Sequence, residues 1–158
     1  MDKDGFKDAA VLGYNMQGKV FVQEAPESLD VDPLRNQLDT EGCGAIVSFI
    51  GITRGHDGGE EVLRLEFDSW QEKLSKTLND LGLQAIERFS LHSVAMAHRT
   101  GSVGPGENIV AIHVASPHRK EAFEGCSGLI DELKRQAPMG DQEGKPGGAS
   151  WKAGWGRR

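Results

Sequence analysis

The sequence has few of the residues that build disulfide or metal frameworks. Only two cysteines occur among the 158 residues, Cys43 and Cys126, and no Cys-x-x-Cys pair is present. We therefore expect neither a disulfide scaffold nor a zinc finger. Four of the five histidines, His56, His92, His98 and His113, show no metal-ligand spacing. The protein is expected to use no metal and no organic cofactor.

Long apolar runs and an excess of positive charge are also absent. No stretch approaches the roughly 20 apolar residues of a membrane-spanning helix, and the start, Met-Asp-Lys-Asp-Gly, lacks a signal-peptide pattern. We therefore expect a cytoplasmic protein. The formal net charge of −6 argues against general nucleic-acid binding, which needs a basic face to neutralise phosphates.

The periods of the apolar residues predict a single α+β domain with a mostly antiparallel sheet and packed helices. Residues 1–18 show no sustained period and are expected to form a flexible extension, and residues 19–158 form the domain, with a glycine-rich, partly mobile end at 140–158. The predicted order is β-α-β-β-α-β-β-α with an optional last strand. Strands are predicted at 19–23, 44–50, 63–67, 93–99, 109–115 and 150–152, and helices after Asp32, Ser69 and Ser116.

Two segments carry the strongest patterns. Residues 44–50 are nearly all apolar, which is typical of a strand buried on both faces and central to a sheet. Residues 116–138 have the period of a long amphipathic helix, for which Ser116 is the predicted N-cap and Pro117 the first helical residue.

The first turn of this helix contains His118 and Arg119. Unpaired backbone N–H groups and the helix dipole favour an anion there, whereas two cations without an anion would repel the dipole. The pair is therefore either an anion site or a solvated first turn, and we favour the anion site.

Other residues have a structural and a chemical interpretation as well. Arg54, in the glycine-rich loop 51–59, either binds a phosphate or covers a sheet edge, although no P-loop motif follows it. Lys134 either complements the helix dipole or acts in catalysis. Cys126 lies on the apolar helix face, so it is predicted to pack in the core rather than to act as a nucleophile paired with His118, over two turns away.

Several blocks together resemble the large subunit of molybdopterin synthase. They are Gly44-Ala-Ile-Val-Ser-Phe-Ile-Gly-Ile-Thr-Arg-Gly-His, Leu63-Arg-Leu-Glu-Phe, His98-Arg-Thr-Gly, Ser116-Pro-His-Arg-Lys-Glu-Ala-Phe-Glu and Leu133-Lys-Arg-Gln-Ala-Pro. The resemblance covers about residues 19–143, with a trace at Ser150 and Trp151. It implies a hammerhead-like α+β fold, a homodimer and a small ubiquitin-like sulfur-carrier subunit ending in Gly-Gly.

The resemblance also implies the chemistry. Such enzymes move sulfur from the carrier's C-terminal thiocarboxylate onto cyclic pyranopterin monophosphate, and two transfers form the molybdopterin dithiolene. Arg54, His118 and Arg119 match the substrate-binding residues of the family and Lys134 matches its central catalytic cation. Both reactants are anions, which such cations would bind.

One position departs from the family pattern. The chain reads Pro138-Met-Gly-Asp-Gln-Glu143, so the second pocket lysine of the family falls on Asp141. An anion in a site for anions should weaken binding. Lys145 and Glu143 are the accessory residues nearby, and the alternative function is a binding or scaffold homologue with impaired turnover.

The length of the helix constrains how a site could form. His118 and Lys134 would lie ~24 Å apart along it, too far for one copy to hold one small pterin with both. Together with the homodimer that the resemblance implies, this predicts that His118 and Arg119 of one subunit complete a pocket around Lys134 and Arg54 of the other.

Overall fold

This computed structural model describes residues 19–57, 60–61, 64–67, 71–136, 141–145 and 148–152. The described residues contain ten strands and three helices. The strands are β1 (Lys19–Ala25), β2 (Ala45–Ile52), β3 (His56–Asp57), β4 (Glu60–Glu61), β5 (Arg64–Phe67), β6 (Ser93–Arg99), β7 (Gly101–Val103), β8 (Asn108–Ser116), β9 (Asp141–Lys145) and β10 (Gly148–Lys152). The helices are α1 (Val31–Arg35), α2 (Gln71–Phe89) and α3 (Arg119–Gln136). The predicted α+β class is confirmed, and the prediction for residues 1–18 lies outside the described residues.

The main sheet has four strands in the order β1-β6-β8-β2. Its β6–β8 and β8–β2 pairs are antiparallel and its β1–β6 pair is parallel. A second sheet has the order β10-β9-β5-β7, and β3 pairs with β4. Strand β7 follows β6 after one residue, so this link joins the two sheets. Among the described residues, no helix is both long and apolar enough to cross a membrane.

The two faces of the main sheet carry side chains of different size. Along the central strands, the larger residues point to the face that α2 and α3 cover, and the alanines point to the opposite face. The large set comprises Val94, Met96, Val110, Ile112 and Val114. The small set comprises Ala95, Ala97, Ala111 and Ala115. The two long helices therefore lie over the bulky face, and the single turn of α1 lies close to the alanine face.

The strand over residues 44–50 does not occupy the position that its composition predicts. β2 is an edge strand, and β6 and β8 are the central ones. The side chains of Ile46 and Ile52 are 41% and 54% exposed. β2 packs against α3 with one face and is partly exposed on the other. The prediction of a central strand buried on both faces is therefore wrong.

The start of α3 also differs from its prediction. Ser116 is the buried last residue of β8, and the helix begins at Arg119. His118 is the N-cap, because its carbonyl accepts the first helical hydrogen bond, from Ala122 at 3.3 Å. Ser116 and Pro117 complete the strand and the turn instead. The first helix likewise starts at Val31 with Asp30 as its N-cap, not at Asp32.

The sequence patterns did not predict several short strands that are rich in glycine and charged residues. The glycine-rich loop 51–59 contains the end of β2 and strand β3, and no strand was predicted at the positions of β7 and β9. Such strands are too short to show a period of two over several residues.

Arg99 fixes the link between the two sheets. Its side chain is 2% exposed, and its guanidinium pairs with Glu107 at 2.8 Å and donates to the carbonyls of Ala25 and Ser102 at 2.8 Å. A buried arginine is tolerated only with this many partners. The bonds hold the end of β6 against the turn that leads into β8.

We predict that Gly82→Ala destabilises the protein although alanine favours helix. A Cβ at Gly82 in α2 would lie 2.6 Å from Cγ1 of Val20 in β1, and a β-branched side chain on a strand cannot rotate away freely. The net loss in unfolding free energy should be about 1–2 kcal/mol, measured by urea denaturation. In a Val20→Ala background the same substitution should be neutral or stabilising; an equal loss in both backgrounds would contradict the steric cause.

We also predict that the protein loses stability between pH 7 and pH 5. Burial lowers the pKa of His98 to about 4, and its Nδ1 lies 2.7 Å from the Arg99 carbonyl. The unfolded state, with a histidine pKa near 6.5, therefore binds more protons in this range, so stability falls as pH falls. His98 alone should account for about 2 kcal/mol. Urea denaturation of His98→Gln at both pH values should show a smaller loss, and an unchanged loss would rule His98 out as its source.

Candidate active site

Two of the predicted site residues lie where β8 passes into α3. His118 and Arg119 are exposed there. The turn is held by Gly44, whose N–H donates to the carbonyls of Ser116 and Pro117 at 3.1 and 3.2 Å. A Cβ at Gly44 would lie only 2.8 Å from the Pro117 oxygen. The absence of a side chain at Gly44 thus lets the start of β2 approach the start of α3.

The other two predicted residues lie at the opposite end of the sheet. Arg54 is the second residue after the end of β2, and Lys134 is exposed in the last turn of α3. The antiparallel register pairs Ala45 with Ser116 and Ile52 with Asn108. The end of β2 therefore lies beside the start of β8, far from His118.

The direction of α3 separates the four cations into two pairs. Because only residues 117 and 118 connect β8 to α3, and the helix packs on β8 and β2, it must run back antiparallel to β8. Its last turn then lies at the Arg54 end of the sheet. The helix spans ~24 Å between His118 and Lys134. The eight-residue strand β2 spans about the same length. One chain thus brings Lys134 towards Arg54 and keeps His118 and Arg119 away from them.

Three of these cations are available to an anionic ligand. Within the described part of the chain, the side chains of His118, Arg119 and Lys134 make no hydrogen bond or ion pair. The neighbouring Arg135 pairs with Glu132 instead. Because these side chains are exposed, water solvates their charges at little cost in free energy. A bound anion would interact favourably with each of them.

Asp141 is the first residue of β9, an inner strand of the second sheet. Asp141 lies opposite Phe67 of β5 and Lys152 of β10. Lys145 is at the far end of β9, opposite Gly148, so its backbone is ~13 Å from that of Asp141. Glu143 lies between them, opposite Leu65. Lys145 therefore does not occupy the position of Asp141, whereas Lys152, which sequence reasoning did not assign to the site, lies directly across from it.

Both cysteines and the buried histidines have structural roles in the described part of the chain. Cys126 is 4% exposed, and burial raises its pKa to about 11, so it stays a protonated thiol at neutral pH. Cys43 and Cys126 are both free. Oγ of Ser48 lies 2.6 Å from Nδ1 of the buried His113, so this ring nitrogen has a hydrogen-bond partner across the β2–β8 pair. Among the residues that the structure describes, no three potential ligands cluster to hold a metal ion. The core role predicted for Cys126 is confirmed.

A family model, curated relatives and solved structures match most of this chain. The family model of the MoaE protein matches residues 24–136. The molybdopterin synthase catalytic subunit of Caulobacter vibrioides is 38% identical over 111 residues, which are 70% of this chain and 73% of the relative. That of Arabidopsis thaliana is 33% identical over 133 residues, which are 84% of this chain and 67% of the relative.

A solved structure agrees with the sequence comparison. Molybdopterin synthase from Staphylococcus aureus superposes with a TM-score of 0.77 at 26% identity, covering 82% of this chain and 95% of that one. The family model spans well over half of the 158 residues, and the fold matches as well. The chain belongs to the MoaE family.

Proposed function

We propose that this protein is the catalytic subunit of a molybdopterin synthase and acts in molybdenum cofactor biosynthesis. It would transfer sulfur from the thiocarboxylated C-terminus of a small carrier subunit to cyclic pyranopterin monophosphate. The family match and the names of the relatives support the pathway. The main structural support for this proposal is that exposed cations lie at both ends of α3.

Each cation has a proposed role that follows from its charge and position. Arg54, His118 and Arg119 bind the phosphate and the thiocarboxylate, both of which are anionic. Lys134 lies where charge develops during sulfur transfer, and its ammonium group stabilises that charge and supplies a proton. The buried Cys126 takes no part, because its raised pKa keeps it protonated.

The site is shared between two copies of the chain in this proposal. The ~24 Å between His118 and Lys134 exceeds the reach of one small pterin. A homodimer would bring His118 and Arg119 of one subunit to Lys134 and Arg54 of the other, which gives two equivalent sites. The relatives are named catalytic subunits, so a second kind of subunit, the sulfur carrier, is the expected partner of each site.

Lys134→Ala should lower the turnover of molybdopterin formation on the order of 100-fold or more, because a cation is lost where charge develops. The assay mixes the protein with thiocarboxylated carrier and precursor and measures molybdopterin. Lys73→Ala, which removes an exposed lysine from α2, is the matched control and should keep full activity. Wild-type turnover in Lys134→Ala would overturn the catalytic role.

A mixing experiment tests whether the site is shared. A His118→Ala/Arg119→Ala chain and a Lys134→Ala chain should each be inactive alone. Refolded together, half of the dimers combine both chains and contain one intact site of two, so about a quarter of wild-type activity should return. A site built within one chain would return none, a result that refutes sharing but leaves sulfur transfer standing.

Asp141 favours a second candidate function, a scaffold homologue with impaired turnover. The resemblance to the family implies a second pocket lysine at the position where this chain has Asp141, and Lys145 lies too far along β9 to replace it. An acidic group near two anionic reactants raises the energy of the bound state. In this case the chain would keep the fold and the carrier-binding surface while catalysing slowly.

Asp141→Lys should therefore raise the rate of molybdopterin formation on the order of tenfold, since it replaces a repulsive charge by an attractive one. The same reconstituted assay measures the change. Glu27→Lys, which makes the same change of charge at an exposed loop position, should have no effect. A fall in activity in Asp141→Lys would show that the aspartate serves this enzyme, and would remove the scaffold hypothesis.

A further inference from the structure

The second sheet is attached to the main sheet at the end where Arg54 lies. Its strand β7 begins two residues after Arg99, the last residue of β6. The turn that follows β7 is bound to the residue before Arg54: the Thr53 N–H donates to the Glu107 carbonyl at 2.9 Å, and the Gly106 N–H donates to the Thr53 carbonyl at 2.8 Å. Both connections of β7 therefore lie close to the end of β2.

One face of the second sheet lies on the side of α2 and α3. Val103 of β7 is fully buried and belongs to the same apolar cluster as Leu133 in the last turns of α3. Val103 is opposite Leu65 in the register, and Phe67 is two residues further along β5. Because residues two apart in a strand share a face, Phe67 lies on the same face as Val103. This is the face nearest to the helix that carries Lys134.

The backbone register extends this face to an acidic and a basic residue. Phe67 pairs with Asp141, and Asp141 pairs with Lys152. Directly opposite residues of antiparallel strands share a face, with their Cβ atoms ~5 Å apart. Asp141 also follows Gln136, the last residue of α3, by five residues, so their Cα atoms are at most about 18 Å apart. Asp141 and Lys152 are therefore side by side at the end of the hairpin that is closest in the chain to α3.

Lys152 is better placed than the other lysine of the hairpin to act near Asp141. Lys145 shares the same face, but it is opposite Gly148 at the other end of β9, ~13 Å along the strand. A lysine carries its charge at the end of a flexible four-carbon stem, which is longer than the side chain of aspartate. From the same face of a sheet, an ammonium group can therefore extend beyond a neighbouring carboxylate.

We propose that Lys152 is a further substrate-binding residue of the site that contains Arg54 and Lys134. Its positive charge offsets the carboxylate of Asp141 and supplies a hydrogen-bond donor to an anionic group, either the phosphate of the precursor or the thiocarboxylate of the carrier. The inference rests on the proposed function and adds a residue that the sequence patterns did not indicate. It also accounts for an aspartate in a site for anions, because a cation in the next strand compensates its charge.

A purely structural pair of charges makes a different prediction. If Lys152 and Asp141 only stabilised the hairpin, loss of either charge would remove the same interaction, and both neutral variants would lose activity alike. If Lys152 binds an anionic reactant, the two charges act in opposite directions, since the lysine attracts the reactant and the aspartate repels it. The signs of the two effects therefore separate a binding role from a structural one.

Steady-state kinetics of the full-length protein test this role, with the concentrations of carrier and precursor varied in turn. Lys152→Gln should lower kcat/KM for molybdopterin formation on the order of tenfold, because a charge-assisted hydrogen bond is lost. Asp141→Asn should raise kcat/KM or leave it unchanged. Lys73→Gln, the same change at an exposed lysine of α2, should keep the wild-type value. A raised KM for the precursor would assign Lys152 to the phosphate, and a raised KM for the carrier would assign it to the thiocarboxylate.

Lys152→Arg keeps the positive charge and should retain most of the activity. Three results would overturn the role of Lys152 and leave sulfur transfer standing: wild-type kcat/KM in Lys152→Gln, an equal loss in Asp141→Asn, or a loss in Lys152→Arg as large as that in Lys152→Gln. A wild type that forms no molybdopterin from loaded carrier and precursor would instead refute the proposed function, and the role of Lys152 with it.

Discussion

The antiparallel packing of α3 along β8 and β2 is the constraint on which the rest of the structure depends. A two-residue connection forces the helix to return over the strand that precedes it. Helix and edge strand then cover the same length, ~24 Å, and each end of this unit carries a separate group of cations. No side-chain movement closes such a gap. The charge distribution of the chain is therefore set by backbone geometry rather than by local pairing.

The core keeps this geometry rigid. Bulky residues on one face of the main sheet and alanines on the other fix how closely each helical layer approaches. Gly82 removes the side chain that would hold α2 away from Val20, and Gly44 does the same between β2 and the start of α3. In a closely packed core, a small displacement of one helix or strand moves the elements that it contacts. The position of the His118 end of α3 consequently depends on Gly44, which lies against the turn that precedes the helix.

Long periodic segments were predictable from the sequence and short or polar ones were not. β6 was predicted with its correct bounds and α3 to within a turn, because each repeats its pattern over many residues. Ser116 was a wrong N-cap because a serine before a proline also ends a strand, and only the β8–β2 pairing decides between them. His118 and Arg119 were favoured as an anion site from their place in the first turn of the helix, and the resemblance supplied the roles of Arg54 and Lys134. Which of them share an end of the sheet depends on strand order, which local patterns do not contain.

The error at β2 contains information of its own. A run of apolar residues with no charge predicts burial on both sides, and in one chain the strand is half exposed. Hydrophobic composition reflects every environment that a strand occupies, including contacts with other molecules. The composition of β2 therefore does not decide its place in the sheet, which is set by the pairing of β8 with β6 on one side and β2 on the other.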